Sequence, residues 1–426
     1  MGQTINSIRG MHDILPADIG AWHLLEDTIR QTMPSYGYNE IRTPIVEKTD
    51  LFCRSIGEVT DIVEKEMYTF PDRNGDSLSL RPENTASCVR AGIEHGLLHN
   101  SIQKLWYMGP MFRHERPQKG RYRQFHQFGA EVFGVSGPSI EAELILLSAR
   151  LWKSLGINDL LKLEINTLGD TEDRTRYRDG LVQYFERYKE DLDQESLSRL
   201  ERNPLRILDS KNPNMQEMIE GAPSLIDMVS DGSRSHFDLL QEVLAKNGIT
   251  YTLNSRLVRG LDYYSHTVFE WVSTALGAQG TACAGGRYDG LVPQLGGRPS
   301  PGAGWASGVE RVLLLIEHAR GKIHSPAPHA YLVVGGQKSN IAGALAIAER
   351  LHDDAHGFRL DTDCTGGSVK AQFKRADKSG AKIAIVIGEE EIAQDSVSIK
   401  FLREDKPQET VAVQDASSTL KALFGL

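Results

Sequence analysis

The sequence predicts an α+β protein: an antiparallel sheet flanked by helices, interrupted by a helical insertion and followed by a smaller α/β domain. Three observations carry this. Two aromatic-rich segments, WYMGPMFRHE and YRQFHQFGAEVFG, face each other across a loop punctuated by Pro117 and Gly120, as antiparallel strands do. From Gly169 to about Gly248 the chain turns charged and helix-rich, with little strand signal. Beyond the linker-like His324-Ser325-Pro326-Ala327-Pro328, strand patterns alternate with helical ones, which predicts a mostly parallel sheet. The first domain is therefore placed at 1–325, with the insertion at about 170–248, and the second at 326–426.

At 426 residues, 40% of them apolar, the chain has enough material for two or three domains with sizeable cores. The opening MGQTINSIRGMHDILP lacks the apolar centre of a secretory signal, and no stretch reaches the roughly 20 apolar residues of a membrane helix. Cys53, Cys88, Cys283 and Cys364 are scattered, without a CxxC pair or a histidine at metal spacing. Neither a disulfide framework nor a metal site is expected, and a reducing cytoplasm is the simplest location. A net charge of −9 speaks against coating by nucleic acid but leaves room for a local basic patch.

Taken in order, Ile19, Trp22, Leu25, Ile29 and Met33 recur three or four apart after Pro16 and predict a helix over 17–33. Residues 37–47, GYNEIRTPIVE, read as a short strand broken by Pro44, which suits an edge or an interface. The segments 66–71 and 77–81 flank Asn74-Gly75, a hairpin signal. Arg81-Pro82-Glu83 then ends a strand and 84–94 reads as helix, so Glu83 stands where a rigid frame presents a side chain to a cleft. Residues 139–155 predict a helix behind the sheet and 161–167 a strand. Strand patterns resume at 249–254, 267–272 and 281–284, and glycine-rich GAGWASG (302–308) leads into a helix over 309–319. In the last domain, strands are expected at 331–336, 358–361 and 382–388, with helices at 341–351 and 369–377. Around the second of these helices cluster Lys370, Lys374, Arg375, Lys378 and Lys382, either a solvated face or an RNA contact. There are no internal repeats.

The chemistry points first to the hairpin loop. Arg116, Lys119, Arg121 and Arg123 follow Glu115 with no acid among them; such a run is either an ordinary solvated loop or a site for an anion, most simply phosphate. Phe112-Arg113-His114-Glu115 places an arginine beside a carboxylate. So do Leu257-Val258-Arg259-Gly260-Leu261-Asp262-Tyr263-Tyr264 and Gly308-Val309-Glu310-Arg311, with glycine added. Guanidinium groups stay charged and pair bidentately with phosphate oxygens, so three such arginines suit a nucleoside triphosphate.

These stretches, in this order, resemble the class II aminoacyl-tRNA synthetases. The arginine hairpin is similar to their second signature motif and GAGWASGVER to their third, while Pro44 falls where the first lies at a dimer interface. Within the class, RGMHDILP, LVRGLDYYSHTVFEW, CAGGRYDGL and GAKIAIVIGEEE resemble the histidyl-tRNA synthetase family, bacterial type, from about Arg9 to the C-terminus. The resemblance implies a six-stranded antiparallel catalytic sheet, a homodimer and a C-terminal anticodon-binding α/β domain. It also implies ATP-dependent ligation of L-histidine to tRNA(His) through a histidyl-adenylate, releasing AMP and pyrophosphate.

By the same resemblance, Arg113 is the α-phosphate cation and Arg259 an arginine peculiar to this family, on the opposite side of the reacting phosphate. Glu83, Thr85, Gln127, Glu131, Tyr263 and Tyr264 match histidine-binding positions, joined by Arg113 and Arg259, with Tyr288 lining the same pocket. Glu83 and Gln127 are assigned mainly to the α-ammonium, Glu131 with Tyr264 to the imidazole. Arg121 and Phe125 match the family's RxxxF pattern, a γ-phosphate contact and an adenine platform. Glu115 would accept from the adenine amine. Arg311 would cover the other adenine face, and Gly304 and Gly308 would let backbone approach the ring. ATP implies Mg²⁺ as part of the substrate complex, with no tightly bound cofactor. Arg116, Gln118, Lys119 and Arg123 are expected to meet the tRNA acceptor stem, and the helical insertion to clasp the acceptor arm. Some relatives keep this fold as a non-catalytic, histidine-sensing regulatory subunit of histidine biosynthesis. These typically lack the anticodon domain and the reactive arginines, whereas Arg113, Arg259, Arg311 and a C-terminal domain are all present here.

Overall fold

The computed structural model describes residues 4–426 except 58–59, 61, 203, 209, 211, 259–262, 278–279, 338 and 366. The chain divides into two compact units, Met1–His324 and Ser325–Leu426. The first is built on one mixed sheet. Its strands are β1 (Asn39–Glu40), β2 (Gln103–Phe112), β3 (Gln124–Phe133), β4 (Lys162–Thr167), β5 (Tyr251–Leu253), β6 (Ser265–Val272), β7 (Thr281–Arg287) and β8 (Gly302–Gly308). Their spatial order is β1-β2-β3-β8-β7-β6-β4-β5. The six inner strands run antiparallel to one another, the set that the resemblance implies. The short β1 and β5 add a parallel strand at each edge. Both fall inside the strands expected over 37–47 and 249–254, of which only two and three residues pair with this sheet. The central β8 is GAGWASG, whose glycines carry no strand propensity of their own.

Four helices pack on one side of this sheet's core: α1 (Ile19–Ser35), α2 (Ser139–Leu155), α3 (Asp231–Lys246) and α4 (Val309–Arg320). Leu25 and Ile29 of α1, Leu151 and Trp152 of α2, Phe237 and Leu240 of α3 and Val312 and Leu315 of α4 meet Phe128, Phe269 and Trp305 from the strands. Each such fully buried side chain contributes about 1.5–3 kcal/mol. Helix α3 falls within 170–248, yet its apolar face belongs to this core. A second cluster joins Tyr177, Leu181 and Phe185 of the helix Thr171–Phe185 to Tyr263, Tyr264 and Tyr288. A three-stranded antiparallel sheet holds Ser77–Leu80 between Val46–Lys48 and Tyr68–Pro71, its hairpin turning at Gly75 with φ +91°.

The second unit has five strands: β9 (Ala330–Val334), β10 (Leu360–Thr362), β11 (Ile383–Ile387), β12 (Ser396–Phe401) and β13 (Glu409–Ala412). Their order is β10-β9-β11-β12-β13. The first three are parallel; β12 and β13, which the sequence pattern does not predict, add antiparallel. Lys370, Lys374, Lys378 and Lys382 are exposed, whereas Arg375 is tied at 2.6 Å to the buried Asp363. Among the described residues no helix is long and apolar enough to cross a membrane.

Candidate active site

The site starts from the period of two along β3. Alternation puts Phe125, Gln127, Gly129 and Glu131 on one face. Opposite them, β8 offers Gly308, Ala306 and Gly304, and β2 offers Met111, Gly109, Tyr107 and Leu105. Small residues face large ones for a steric reason. A side chain at Gly304 would run into the Glu131 carboxylate and the Tyr288 hydroxyl, and one at Gly129 would meet the Tyr107 hydroxyl. The glycines of both strands thus hold open a hollow of about 280 Å³.

Its walls come from segments far apart in sequence. Glu83, Thr85, Arg113, Glu115, Arg121, Phe125, Gln127, Tyr263, Tyr264, Tyr288, Gly304, Gly308 and Arg311 all line it. Glu131 lies immediately behind this lining, with no exposure at all. Arg116, Gln118 and Lys119 are exposed on the hairpin loop and Arg123 is half-buried at its exit. Arg259 lies outside the described residues.

Glu83 is set by the helix that follows it. Its carboxylate accepts from the Thr85 N–H at 2.6 Å and the Ala86 N–H at 3.1 Å, satisfying donors that the helix start leaves open. Burial pushes its carboxyl up from the ordinary value, opposed by those N–H groups and by Arg113. Behind it, buried Arg81 donates to the Pro110 carbonyl at 2.9 Å and to Asn84 Oδ1 at 2.9 Å, fixing the turn.

Glu131 is enclosed more tightly. Oε1 accepts from Thr85 Oγ1 at 2.6 Å and from the Tyr107 hydroxyl at 3.3 Å, and Oε2 accepts from the Tyr288 hydroxyl. Burial pushes its carboxyl up to about 8 despite those three hydroxyls, and the charge of Glu83 adds to the rise. Sequence reading missed Tyr107; the signal was available, an aromatic facing a lone glycine in FGAE. Gln127 Oε1 is buried with no hydrogen-bond partner among the described residues. Tyr263, Tyr264 and Tyr288 form a mutually packed group with ring centroids 4.7–6.2 Å apart. Arg174 of the helix Thr171–Phe185 donates to the Tyr264 carbonyl at 2.7 Å, so the insertion backs this wall.

The opposite end is cationic. Arg113 Nε donates to the Pro82 carbonyl at 2.9 Å, and its guanidinium lies 5.3 Å from the Phe125 ring centroid. Arg121 pairs with the buried Glu115. Arg311 reaches the Thr281 carbonyl at 2.5 Å and the Gly120 carbonyl at 3.4 Å. Burial, and then the neighbouring Arg121, lower the proton affinity of Arg311. Glu310 next to it accepts from the His126 N–H at 2.9 Å and fastens α4 to β3.

Comparison with known proteins identifies the family. The family model for histidyl-tRNA synthetase matches residues 10–171 and 185–312. The chain belongs to the histidyl-tRNA synthetase family. A model for an anticodon binding domain matches 329–423. The apo histidyl-tRNA synthetase of S. aureus is 36% identical, with a TM-score of 0.81 over 98% of this chain and 100% of that one. The histidyl-tRNA synthetase of a Nostoc species shares the fold at 20% identity, TM-score 0.68, over 99% and 100% of the two chains. A Bacillus halodurans protein named as an ATP phosphoribosyltransferase regulatory subunit/histidyl-tRNA synthetase shares it at 22%, TM-score 0.64, over 91% and 99%. Membership makes the chain an aminoacyl-tRNA synthetase, a histidine–tRNA ligase carrying both the catalytic and the anticodon-binding parts.

Proposed function

We propose that the protein joins L-histidine to tRNA(His) in two steps, through a histidyl-adenylate, releasing pyrophosphate and then AMP. The observation that carries this is the convergence of Arg113, Arg121 and Arg311 with Glu83, Gln127 and the three tyrosines on one hollow. Activation requires a carboxylate to attack the α-phosphate of ATP, so two anions must come within bonding distance. Cations beside the phosphate lower that repulsion, most of all as charge builds in the transition state. Arg113, held against the Pro82 carbonyl, is assigned to the α-phosphate. Arg259 is assigned to its far side on the sequence resemblance alone. Phe125 and Arg311 would flank the adenine, Glu115 would accept from its amine, Arg121 would meet the γ-phosphate, and Gly304 and Gly308 would allow close backbone approach. ATP enters with Mg²⁺ held mainly by phosphate oxygens and water.

Histidine occupies the tyrosine end. Glu83 and the unpartnered Gln127 Oε1 suit the α-ammonium, while Glu131 with Tyr264 faces the imidazole. A pocket built around ring N–H groups rejects isosteres that would leave its buried polar atoms unpaired. For transfer, Arg116, Gln118, Lys119 and Arg123 of the hairpin loop meet the acceptor stem. Exposed Ile45, Val46 and Phe70 on the small sheet beside Pro44 suit burial between two copies, supporting a homodimer. The cytoplasm is the compartment this activity implies.

Histidine-dependent ATP–pyrophosphate exchange tests the first step. Histidine binding without exchange would instead favour a regulatory subunit. The Arg116→Ala, Arg123→Ala protein should keep exchange and lose aminoacylation of tRNA; equal collapse of both activities would refute the division between hollow and loop.

A further inference from the structure

The stretch RGMHD near the start of the chain has no role in the scheme above, yet the structure docks it on the hairpin loop. Met11 N–H donates to the Ile8 carbonyl at 2.9 Å, closing a tight turn over Ile8–Met11. Gly10 takes the left-handed conformation there, φ +84°, as the third residue of such a turn often must. Its carbonyl, turned toward the loop exit, accepts from the Arg123 N–H at 2.7 Å and the Gln124 N–H at 3.4 Å, where β3 begins. Gly10 is buried. A Cβ on it would stand 2.9 Å from Pro117 Cγ and 3.0 Å from Arg123 Cγ. Two residues on, the His12 ring packs edge-on against Tyr122, centroids 4.8 Å apart. At its tip the loop turns at Lys119-Gly120, with Gln118 and Arg121 exchanging both backbone bonds at 3.0 and 2.9 Å. There the Gly120 carbonyl meets Arg311. Pro117 and Arg123 are not among the residues lining the hollow, while Arg121 is.

We infer that the turn Ile8–Met11 is a bracket that fixes the hairpin loop in register for the tRNA step, with Gly10 and His12 as positioning residues. The inference rests on reading the loop as the acceptor-stem contact. Its physical content is that no loop residue alone sets the direction of Arg116 and Arg123. The backbone at the exit is anchored by a carbonyl more than a hundred residues earlier in sequence, through a position whose left-handed backbone and close neighbours favour glycine. Positioning errors of an ångström are costly in reactions that depend on approach geometry.

The test uses the full chain and two activities, exchange without tRNA and aminoacylation of tRNA(His). Gly10→Ala should retain exchange within about twofold and raise KM for tRNA, or slow transfer from preformed adenylate, by about tenfold. Aminoacylation at the parent rate by this variant would overturn the bracket. If Gly10→Ala does not fold, the pair His12→Ala and His12→Phe decides. His12→Ala should lower transfer about threefold and His12→Phe, which keeps an edge-on ring, should restore it; equal rates for both would overturn the role of His12. Lys119→Ala, at the exposed tip and away from the bracket, separates the two levels. Transfer lost in Lys119→Ala but kept in Gly10→Ala refutes the bracket alone. Transfer kept in both refutes the loop's contact with tRNA, and the bracket with it.

Discussion

The two ends of the hollow solve opposite electrostatic problems. At the tyrosine end, two carboxylates are buried and their oxygens are engaged by short, mostly neutral donors: helix N–H groups on Glu83, three hydroxyls on Glu131. At the arginine end, guanidinium groups are partly exposed and lean on carbonyls and on one another's carboxylate partner, as Arg311 does on Gly120 and Arg121 on Glu115. A buried, fully bonded group cannot rearrange cheaply, because breaking any one bond leaves an uncompensated polar atom. A half-exposed cation exchanges its partner for water or for a phosphate at little cost. The first arrangement suits selecting a ligand, the second suits meeting charge that grows during a reaction.

The contrast is broken most severely at Arg113. Arg113→Gln should lower kcat of histidine-dependent exchange by on the order of 10²- to 10³-fold while KM for ATP changes little, since the cation acts where transition-state charge develops. Exchange kinetics at varied ATP check it. A loss confined to KM would mean that Arg113 merely holds the nucleotide.

Glu131→Gln probes the other end. Histidine KM should rise on the order of 10²-fold, the scale of disturbing a buried, fully hydrogen-bonded group, with ATP KM unchanged. The same variant makes a pH prediction. Glu131 keeps its proton in the folded state up to about 8 against an ordinary 4.5, so between those values the folded chain binds the extra proton. The stabilisation is complete below 4.5 and is lost as pH rises toward 8, with a slope of up to about 1.4 kcal/mol per pH unit. Glutamine does not titrate. The Tm of the parent should therefore fall relative to that of Glu131→Gln across this window; parallel Tm profiles would show that Glu131 is ionised as usual.

How far the sequence speaks follows the same division. The arginine end was legible because its residues sit in contiguous stretches, FRHE and GVER, that place an arginine beside a carboxylate, a pattern that together suits phosphate. The lining of the tyrosine end was legible chiefly through resemblance; composition alone cannot say that Tyr288 reaches Glu131 from 157 residues away. Strands with alternating aromatics declared themselves, as over 103–133. Strand β8 did not, since its glycines exist to make room for Glu131 and Tyr288 and carry no β-propensity. Tertiary need overrode local preference there. The edge strands β1 and β5 were legible within 37–47 and 249–254, though their extent of two and three residues was not, and β12 and β13 were not predicted.

The smallest expected effect is the sharpest test of the comparison. Tyr107 was found only in the structure, and its hydroxyl, 3.3 Å from Glu131 Oε1, is the longest of the three that enclose that carboxylate. Tyr107→Phe removes one oxygen and leaves the ring that packs opposite Gly129. If the tyrosine end works through complete satisfaction of its acceptors, losing even this long bond should cost about 0.5–1.5 kcal/mol. In kinetic terms histidine KM should rise roughly two- to tenfold at constant KM for ATP. The matching truncation at the other end, Gln118→Ala on the exposed loop, should leave both constants for exchange where they were. A Tyr107→Phe enzyme with unchanged histidine KM would mean that Thr85 and Tyr288 suffice for Glu131, and that enclosure by three donors is packing without recognition.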